Sequence, residues 1–327
     1  MQKKNLGNSD LNVAPLAFGG MVFGWTADES TSFELLDAFV DAGFNLIDTA
    51  NVYSAWVPGN SGGESESVIG KWLQRSKGSR EEVIIVTKVG INIEDAFDMS
   101  KASLSRDTII QGVEDSLRRL QTDHIDLYLS HFDDEKTPLE ETLAAHDELV
   151  QSGKVRFIGA SNYNKDRLEQ ALRISEENNL AAYTVLQPHY NLYHREDYEG
   201  ELQDFCVAHG IGVITYFSLA SGFLTGKYRS DDDLEGSSRA HLVKGMLNER
   251  GTAIVTALDE VANELGARPS QVALAWLMVQ PGVVAPIASA TNVDQLREIM
   301  GCANLELSDA QLEHLNNSGR KTVSFKL

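Results

Sequence analysis

Short apolar runs alternate with longer amphipathic segments along the whole chain. The apolar runs are rich in Val and Ile and have the length of buried strands. They predict eight strands, at residues 13–18, 45–48, 83–88, 125–129, 155–159, 184–187, 212–216 and 284–287. The intervening segments repeat apolar residues at helical spacing. They predict eight helices, at residues 31–42, 66–75, 106–120, 138–151, 165–179, 197–209, 253–265 and 293–302.

Regular alternation of strand and helix predicts a parallel sheet, because parallel strands need crossover connections. Glycines follow two of the predicted helices, and Pro138 and Pro269 stand where a first helical turn accepts proline. Eight units in 327 residues suit a (β/α)8 TIM barrel that forms one domain over residues 1–327. A doubly wound open sheet is the alternative, since periodicity does not distinguish the two.

Three segments lie outside the repeat. A glycine-rich loop at 59–64 follows the second strand, and a long segment at 221–250 follows the seventh. Long loops in a compact domain are commonly functional, and a barrel places its active site after the strand ends. We therefore expect both at the carboxyl-terminal face. Residues 309–318 predict one further helix at the end of the chain.

The composition of the chain disfavours several classes of binding partner. The formal net charge of −20 disfavours nucleic acid and anionic membranes as partners. Cys206 and Cys302 are the two cysteines, which supports neither a disulfide framework nor a thiolate metal site. The first ten residues are polar, and no stretch approaches the roughly 18 apolar residues of a membrane span. A cytoplasmic protein without a metal is the expectation.

Ionisable side chains recur where predicted strands end. Asp48 ends one strand, Lys88 ends the next, and His131 follows the one after, while Tyr53 stands five residues beyond Asp48. Each residue alone is more commonly structural than catalytic. In a barrel, however, all four would share one rim beside the long loops, which is the pattern expected of an active site.

Several segments resemble motifs of the aldo-keto reductase family. FNLIDTANVY (44–53) is similar to the family signature, in which Asp and Tyr lie five apart, and ESESVIGKWL (64–73) is similar to the helix that follows. Further similarities occur in order at VTK (86–88), IDLYLSH (125–131), SGKVRFIGASN (152–162), LQPHYN (186–191) and SGFLTGKY (221–228). The resemblance extends over residues 6–302 and is greatest to bacterial members that are similar to potassium-channel β-subunit-like reductases.

The resemblance implies NAD(P)H-dependent reduction of an aldehyde, a ketone or a sugar to an alcohol. Asp48, Tyr53, Lys88 and His131 would form the catalytic tetrad, with Tyr53 as proton donor. The unperturbed pKa of tyrosine is roughly 10, and we expect Lys88 to lower it. Asp48 would hold Lys88, and His131 would orient and polarise the carbonyl oxygen. The substrate pocket would be walled by Trp25, Trp56 and Phe132.

The resemblance also implies a set of cofactor contacts. Ser161, Asn162 and Gln187 would hold the nicotinamide, on which Tyr216 would stack. Gly20 and Met21 would lie under its ribose, and segment 221–250 would cover the pyrophosphate. The full set implied is Gly20, Met21, Asp48, Ser161, Asn162, Gln187, Tyr216, Phe217, Ser218, Leu219, Ala220, Gly222, Lys227, Arg239, Ser289, Thr291, Gln295 and Glu298. No GxGxxG motif follows the first predicted strand, which disfavours a Rossmann reductase.

The chain departs from the family pattern at the adenosine end. Many members carry Arg or Lys where this chain has Thr291, and Asn where it has Ile299. Members similar to channel β subunits have a small hydroxyl residue there and still take NADP. In those members a Lys and an Arg, here Lys227 and Arg239, approach the phosphates. We therefore expect NADPH to be preferred, with NADH possible.

Two other functions remain open at this point. A glycoside hydrolase barrel would need two carboxylates facing each other across the site, and Asp48 has no clear partner at a strand end. An aldo-keto reductase fold could also serve as a redox-sensing or channel-associated subunit with little turnover. The physiological substrate, the direction of reaction and the oligomeric state are not encoded in any motif of the chain.

Overall fold

A computed structural model describes residues 1–75, 80–91 and 101–319. A hairpin of two short antiparallel strands, β1 (Lys4–Asn5) and β2 (Asn12–Val13), opens the chain. Eight parallel strands of the described residues then close into a barrel. They are β3 (Ala17–Gly19), β4 (Leu46–Asp48), β5 (Ile84–Val89), β6 (Ile125–Ser130), β7 (Val155–Ser161), β8 (Tyr183–Gln187), β9 (Gly212–Thr215) and β10 (Val283–Ala288).

Barrel closure settles the choice between the two predicted architectures. Strand β10 pairs with β9 on one side and with β3 on the other, where Ile287 lies opposite Ala17. A doubly wound sheet would leave both edges open. The (β/α)8 prediction is confirmed.

Helices cover the outside of this barrel. Those of the described residues are α1 (Glu29–Asp41), α2 (Glu64–Leu73), α3 (Arg106–Leu120), α4 (Leu139–Gln151), α5 (Lys165–Asn178), α6 (Glu201–His209), α7 (Ala240–Val243), α8 (Glu249–Leu265), α9 (Pro269–Met278), α10 (Val293–Met300) and α11 (Asp309–Asn317). Pro138 precedes α4 as its N-cap rather than lying in its first turn, whereas Pro269 is the first residue of α9, as expected.

The first predicted strand is wrong in extent. Residues 13–18 divide between the hairpin, where Val13 pairs with Lys4, and the barrel, where Ala17 pairs with Leu46. Pro15 lies in the gap and has no N–H to donate to a continuous ladder. Leu6 and Leu11 of the hairpin pack against the side chains inside the barrel, so the hairpin fills its amino-terminal end.

The prediction missed α9, a helix that packs directly against the barrel. The helix predicted at 253–265 exists as α8, but α9 is the one that lies against β10. Helix α9 is buried from Val272 to Leu277, packed between the barrel and α8. A helix buried on all sides lacks the amphipathic periodicity on which the prediction depends.

The segment predicted as a loop at 221–250 contains short helical pieces. Short 3₁₀ segments occupy Ala220–Thr225, which is kinked at Ser221 and Gly222, Asp231–Leu234 and Lys244–Met246, and α7 lies among them. In the terminal segment predicted as a helix at 309–318, the structure has α11 (Asp309–Asn317) with Ser318 as its C-cap.

A buried histidine makes the stability of this fold depend on pH. His146 on α4 is fully buried, its ring accepts or donates one hydrogen bond with Ser130, and burial lowers its pKa to about 3. In the unfolded chain, His146 would bind a proton below its unperturbed pKa of about 6.5. In the native state, His146 stays neutral until about pH 3. Stability is therefore lost as the pH falls through this window.

We expect the free energy of unfolding to drop by up to about 1.4 kcal/mol per pH unit from this histidine alone. Urea unfolding of the wild type and of His146→Gln between pH 6.5 and 4 measures the contribution. The variant should show a shallower pH dependence, whatever its absolute stability. Equal slopes in the two proteins would contradict the assignment to His146.

Candidate active site

Three of the four predicted catalytic side chains form one hydrogen-bonded cluster at the carboxyl-terminal end of the barrel. Lys88 Nζ lies 2.8 Å from Asp48 Oδ2 and 2.9 Å from the Tyr53 hydroxyl oxygen. It also lies 2.8 Å from the carbonyl oxygen of Thr49. Asp48 and Lys88 end neighbouring strands, β4 and β5, and both are buried. The second carboxylate oxygen of Asp48 accepts a hydrogen bond from Gln187 Nε2 at 2.8 Å.

The geometry fixes which group donates to which. An ammonium has three N–H donors and no acceptor, and Lys88 has three acceptors around it, so each receives one hydrogen bond. The Tyr53 oxygen therefore accepts from Lys88 and keeps its own proton. Its distance to Asp48 Oδ2 is 3.4 Å, too long for a strong hydrogen bond. The phenolic proton is left for a partner in the cavity.

Lys88 was expected to lower the pKa of Tyr53, but the net shift of this pKa is upward. Burial, followed by the carboxylate of Asp48, raises the pKa of Tyr53 well above 10. Burial also lowers the pKa of Lys88, although the charge of Asp48 opposes this. The net direction is thus opposite to the one expected from Lys88 alone, because burial and the charge of Asp48 act the other way. Tyr53 is a protonated phenol in this site.

His131 completes the group from the end of β6. Its backbone N–H bonds to the carbonyl of Val89, and its carbonyl accepts from Asn162 Nδ2 at 3.0 Å. Its ring centroid lies 6.3 Å from that of Tyr53. Burial and the charge of Lys88 lower the pKa of His131 well below 6.5, so the imidazole is neutral. The four predicted residues thus lie together at the carboxyl-terminal ends of three neighbouring strands, Tyr53 and His131 in the segments that follow β4 and β6.

A cavity of about 1040 Å³ extends from this cluster across the carboxyl-terminal face. Asp48, Tyr53 and His131 line one end of it, while Lys88 lies beneath them. Most predicted cofactor contacts line it too: Met21, Asp48, Ser161, Asn162, Gln187, Tyr216, Phe217, Ser218, Leu219, Gly222, Lys227, Arg239, Ser289, Thr291, Gln295 and Glu298. A cavity of this volume accommodates a ligand larger than most drug-sized molecules.

Three predicted contacts do not lie on the cavity wall. The carbonyl of Gly20 accepts a hydrogen bond from Ser65 and faces α2, and Ala220 is buried in its turn. The Trp25 ring packs edge-on against Trp56 with centroids 5.6 Å apart, so it supports the wall from behind. Trp56 and Phe132 do line the cavity. Val22, Thr26, Val52 and Ile91 also line the same end, and sequence reasoning missed them.

A hydrogen-bonded set of side chains adjoins the catalytic cluster. The Tyr216 hydroxyl donates to Asn162 Oδ1 at 2.7 Å, and Asn162 Nδ2 lies 3.0 Å from Ser161 Oγ. Ser161 in turn donates to the carbonyl of Gln187. The Tyr216 ring stacks on His189, with centroids 5.3 Å apart and ring planes 20° from parallel. These contacts fix one flat aromatic face and several amide groups beside Tyr53.

Backbone strain is concentrated around the cavity. Seven non-glycine residues of the described chain have positive φ, and two of these are the helix C-caps Gln121 and Asn179. The other five lie at the carboxyl-terminal face and are Ser54, Asn162, Phe217, Ala220 and Ser221. Such residues cost of order 1–3 kcal/mol each and cluster at ligand sites. The turn that contains the last three contributes Phe217 and Ser221 to the cavity wall.

Charged side chains of both signs line the cavity, and three cations stand there besides the carboxylates of Asp233, Glu235 and Glu298. Lys227, Arg239 and Arg268 line it, and none of them pairs with a carboxylate of the described residues. The Arg239 guanidinium lies 5.7 Å from the Trp25 ring centroid, and Lys227 Nζ lies 4.8 Å from that of Tyr228. Unpaired cations around one cavity favour an anionic ligand.

Comparison with known proteins agrees with this geometry. The chain matches the model of the Aldo/keto reductase family over residues 15–319. It is 35% identical to the uncharacterized oxidoreductase YrpG of Bacillus subtilis over 97% of this chain and 95% of that protein. It is 35% identical to the aldo-keto reductase AFTS1 of Alternaria alternata, over 97% of this chain and 91% of the relative. A probable voltage-gated potassium channel subunit beta of Arabidopsis thaliana is 33% identical over 92% and 90% of the two chains.

The chain therefore belongs to the aldo/keto reductase family, a family of oxidoreductases on (β/α)8 barrels. Among the described residues, no cluster of His, Cys, Asp and Glu is arranged to hold a metal ion. No helix of the same residues is long and apolar enough to span a membrane.

Proposed function

We propose that this protein reduces an aldehyde or ketone to an alcohol with NADPH, and that Tyr53 delivers the proton. The observation that carries the proposal is the hydrogen bond from buried Lys88 to the Tyr53 oxygen at the cavity wall. It leaves the phenolic proton directed away from Lys88, so that a carbonyl oxygen bound in the cavity could take it.

The cavity fits a nicotinamide dinucleotide. Asn162, Ser161 and Gln187 offer amide and hydroxyl groups for a carboxamide, and Tyr216 offers a flat face for the ring. The positive-φ turn at Phe217–Gly222 and the cations at the far end suit phosphates. When bound, the reduced cofactor would supply a hydride to the carbonyl carbon.

Proton delivery follows from the pKa values of the cluster. Because burial and Asp48 keep Tyr53 protonated, it donates only when the substrate oxygen becomes strongly basic, as it does on accepting a hydride. Lys88 then donates a hydrogen bond to the phenolate that forms, and Asp48 holds Lys88 in place. A neutral His131 can donate to the same substrate oxygen without competing as an acid.

The same contacts disfavour the hydrolase alternative. Asp48 is bound by Lys88 and Gln187 on its two oxygens, so it is not available as a nucleophile or base. Asp133 is paired with Arg167, and Asp134 accepts hydrogen bonds from the backbone of Leu104 and Lys136. No pair of described carboxylates is thus set across the catalytic end of the cavity.

The substrate end is mainly apolar. Val52, Ile91 and Phe132 pack in one cluster with Tyr53, the Trp56 ring lies against Tyr53, and the Phe132 ring stacks on His131. An uncharged aldehyde or ketone with an aromatic or aliphatic substituent would bury that substituent here and gain about 25 cal/mol per Å² of apolar surface. We propose this class ahead of sugars, whose hydroxyl groups would lose hydrogen bonds to water against these walls.

Cofactor titration and turnover test the proposal together. The fluorescence of NADPH is followed as protein is added, and oxidation of NADPH is then measured with 4-nitrobenzaldehyde and with glyceraldehyde. We expect saturable binding, and turnover with a higher kcat/KM for the aromatic aldehyde. Absence of binding for both NADPH and NADH would refute the reductase. Binding without turnover on either aldehyde would favour the redox-sensing subunit.

A further inference from the structure

Arg268 is a cavity residue that the sequence motifs do not single out. It stands directly before α9, it lines the far end of the cavity, and it is exposed. Its side chain forms no ion pair with the described carboxylates. An arginine in a chain of net charge −20 has many possible partners, so its isolation on this wall calls for a reason.

The helix gains nothing from arginine at this position. Arg268 is the N-cap of α9, where Ser, Thr, Asp or Asn would accept a hydrogen bond from the first turn. A guanidinium has no acceptor, and a positive charge next to a helix N-terminus is unfavourable. The explanation therefore lies in what the side chain faces, which is the cavity.

Neighbouring contacts place Arg268 at the adenosine end. Ser270, two residues on, donates to Glu298 Oε1 at 2.6 Å, and Gln271 Nε2 donates to the Glu298 carbonyl at 2.8 Å. Glu298 lies one turn beyond Gln295, whose side chain accepts from the Thr291 backbone and hydroxyl at 3.0 Å. The family resemblance implies that segment 287–299 contacts the 2′-phosphate and the adenine, and position 291 in it is Thr rather than a basic residue.

Lys227 occupies a different part of the same cavity. A Cβ added to Gly222 would lie 3.2 Å from Lys227 Cε and 3.3 Å from its Nζ. Gly222 belongs to the strained turn that begins at Phe217, which is proposed above for the pyrophosphate. The pyrophosphate is common to NADPH and NADH, so a cation there cannot distinguish the two.

We propose that Arg268 binds the 2′-phosphate and sets the preference for NADPH, whereas Lys227 serves the pyrophosphate. The inference rests on the proposed function. The guanidinium replaces, from the start of α9, the basic side chain that is absent at Thr291. It also offsets the carboxylates of Asp233, Glu235 and Glu298, which line the same end and would otherwise repel a phosphate.

Two single variants distinguish the proposed role of Arg268 from that of Lys227. Arg268→Thr removes the charge and supplies a proper N-cap, so its thermal stability should equal or exceed that of the wild type. Lys227→Ala removes the other charge and leaves Arg268 intact. Dissociation constants for NADPH, NADH and the fragment 2′,5′-ADP are measured by fluorescence and calorimetry, with no dependence on turnover.

We expect Arg268→Thr to weaken NADPH and 2′,5′-ADP by about 10- to 100-fold, the effect of losing a charge-assisted hydrogen bond, and to leave NADH unchanged. Lys227→Ala should weaken NADPH and NADH by similar factors. Arg268→Lys should retain part of the preference, because it keeps the charge but loses the bidentate geometry.

The possible failures are distinguishable. If the wild type binds neither dinucleotide, the proposed function fails and the inference with it. If the wild type prefers NADPH and Arg268→Thr keeps that preference, the inference is overturned while the reductase stands. Equal affinity of the wild type for NADPH and NADH would overturn the inference in the same way.

Discussion

Tyr53→Phe is expected to lower the rate of carbonyl reduction by about 10²–10⁴-fold, the usual contribution of a positioned acid. The variant keeps the ring and loses the hydroxyl to which Lys88 Nζ donates at 2.9 Å. Because the ring still fills its place beside Trp56, affinity for NADPH should change little. Single-turnover measurement of NADPH oxidation reports the chemical step directly.

Tyr128→Phe is the matched control for that variant. Tyr128 is a buried residue of β6, three positions before His131, and its hydroxyl has no hydrogen-bond partner among the described residues. Removing this oxygen should leave turnover near the wild-type value. Retention of wild-type turnover by Tyr53→Phe would reject Tyr53 as the proton donor.

Lys88→Met should damage both catalysis and stability. It removes the donor to Tyr53, and loss of one such preorganised donor typically costs about 10²–10³-fold in kcat. It also leaves the buried Asp48 carboxylate without its cation, and breaking a buried pair costs about 3–5 kcal/mol. Turnover and urea unfolding are to be measured on the same preparation.

The double variant Lys88→Met/Asp48→Asn separates these two effects. Neutralising Asp48 removes the unpaired charge, so we expect most of the lost stability to return while turnover stays low. Recovery of turnover together with stability would show that Lys88 acts only through the fold and not on Tyr53.

The architecture was predictable because most of its helices have one apolar face and its strands are short apolar runs. The errors have physical causes. Pro15 interrupts the ladder inside the first predicted strand, which periodicity ignores. Helix α9 is apolar on every side, so its sequence shows neither the helical nor the strand period.

Much of the candidate site was predictable for another reason. Asp48, Lys88 and His131 end or follow neighbouring strands, and a barrel brings such positions together whatever the loops do. The net shift of the Tyr53 pKa was not predictable, because it depends on burial, which is a property of the folded site. Arg268 was missed for a similar reason, since only the fold brings the start of α9 next to Glu298.

Helix α9 also affects how the chain behaves before it has folded. Its run from Val272 to Leu277 finds cover only when the barrel lies on one side and α8 on the other. Until both are present, a nascent or heat-damaged chain displays an apolar segment with no charge in it, the kind of surface that aggregates or recruits chaperones. The helix whose first residues line the cavity is therefore also a segment that must be covered early for the chain to avoid aggregation.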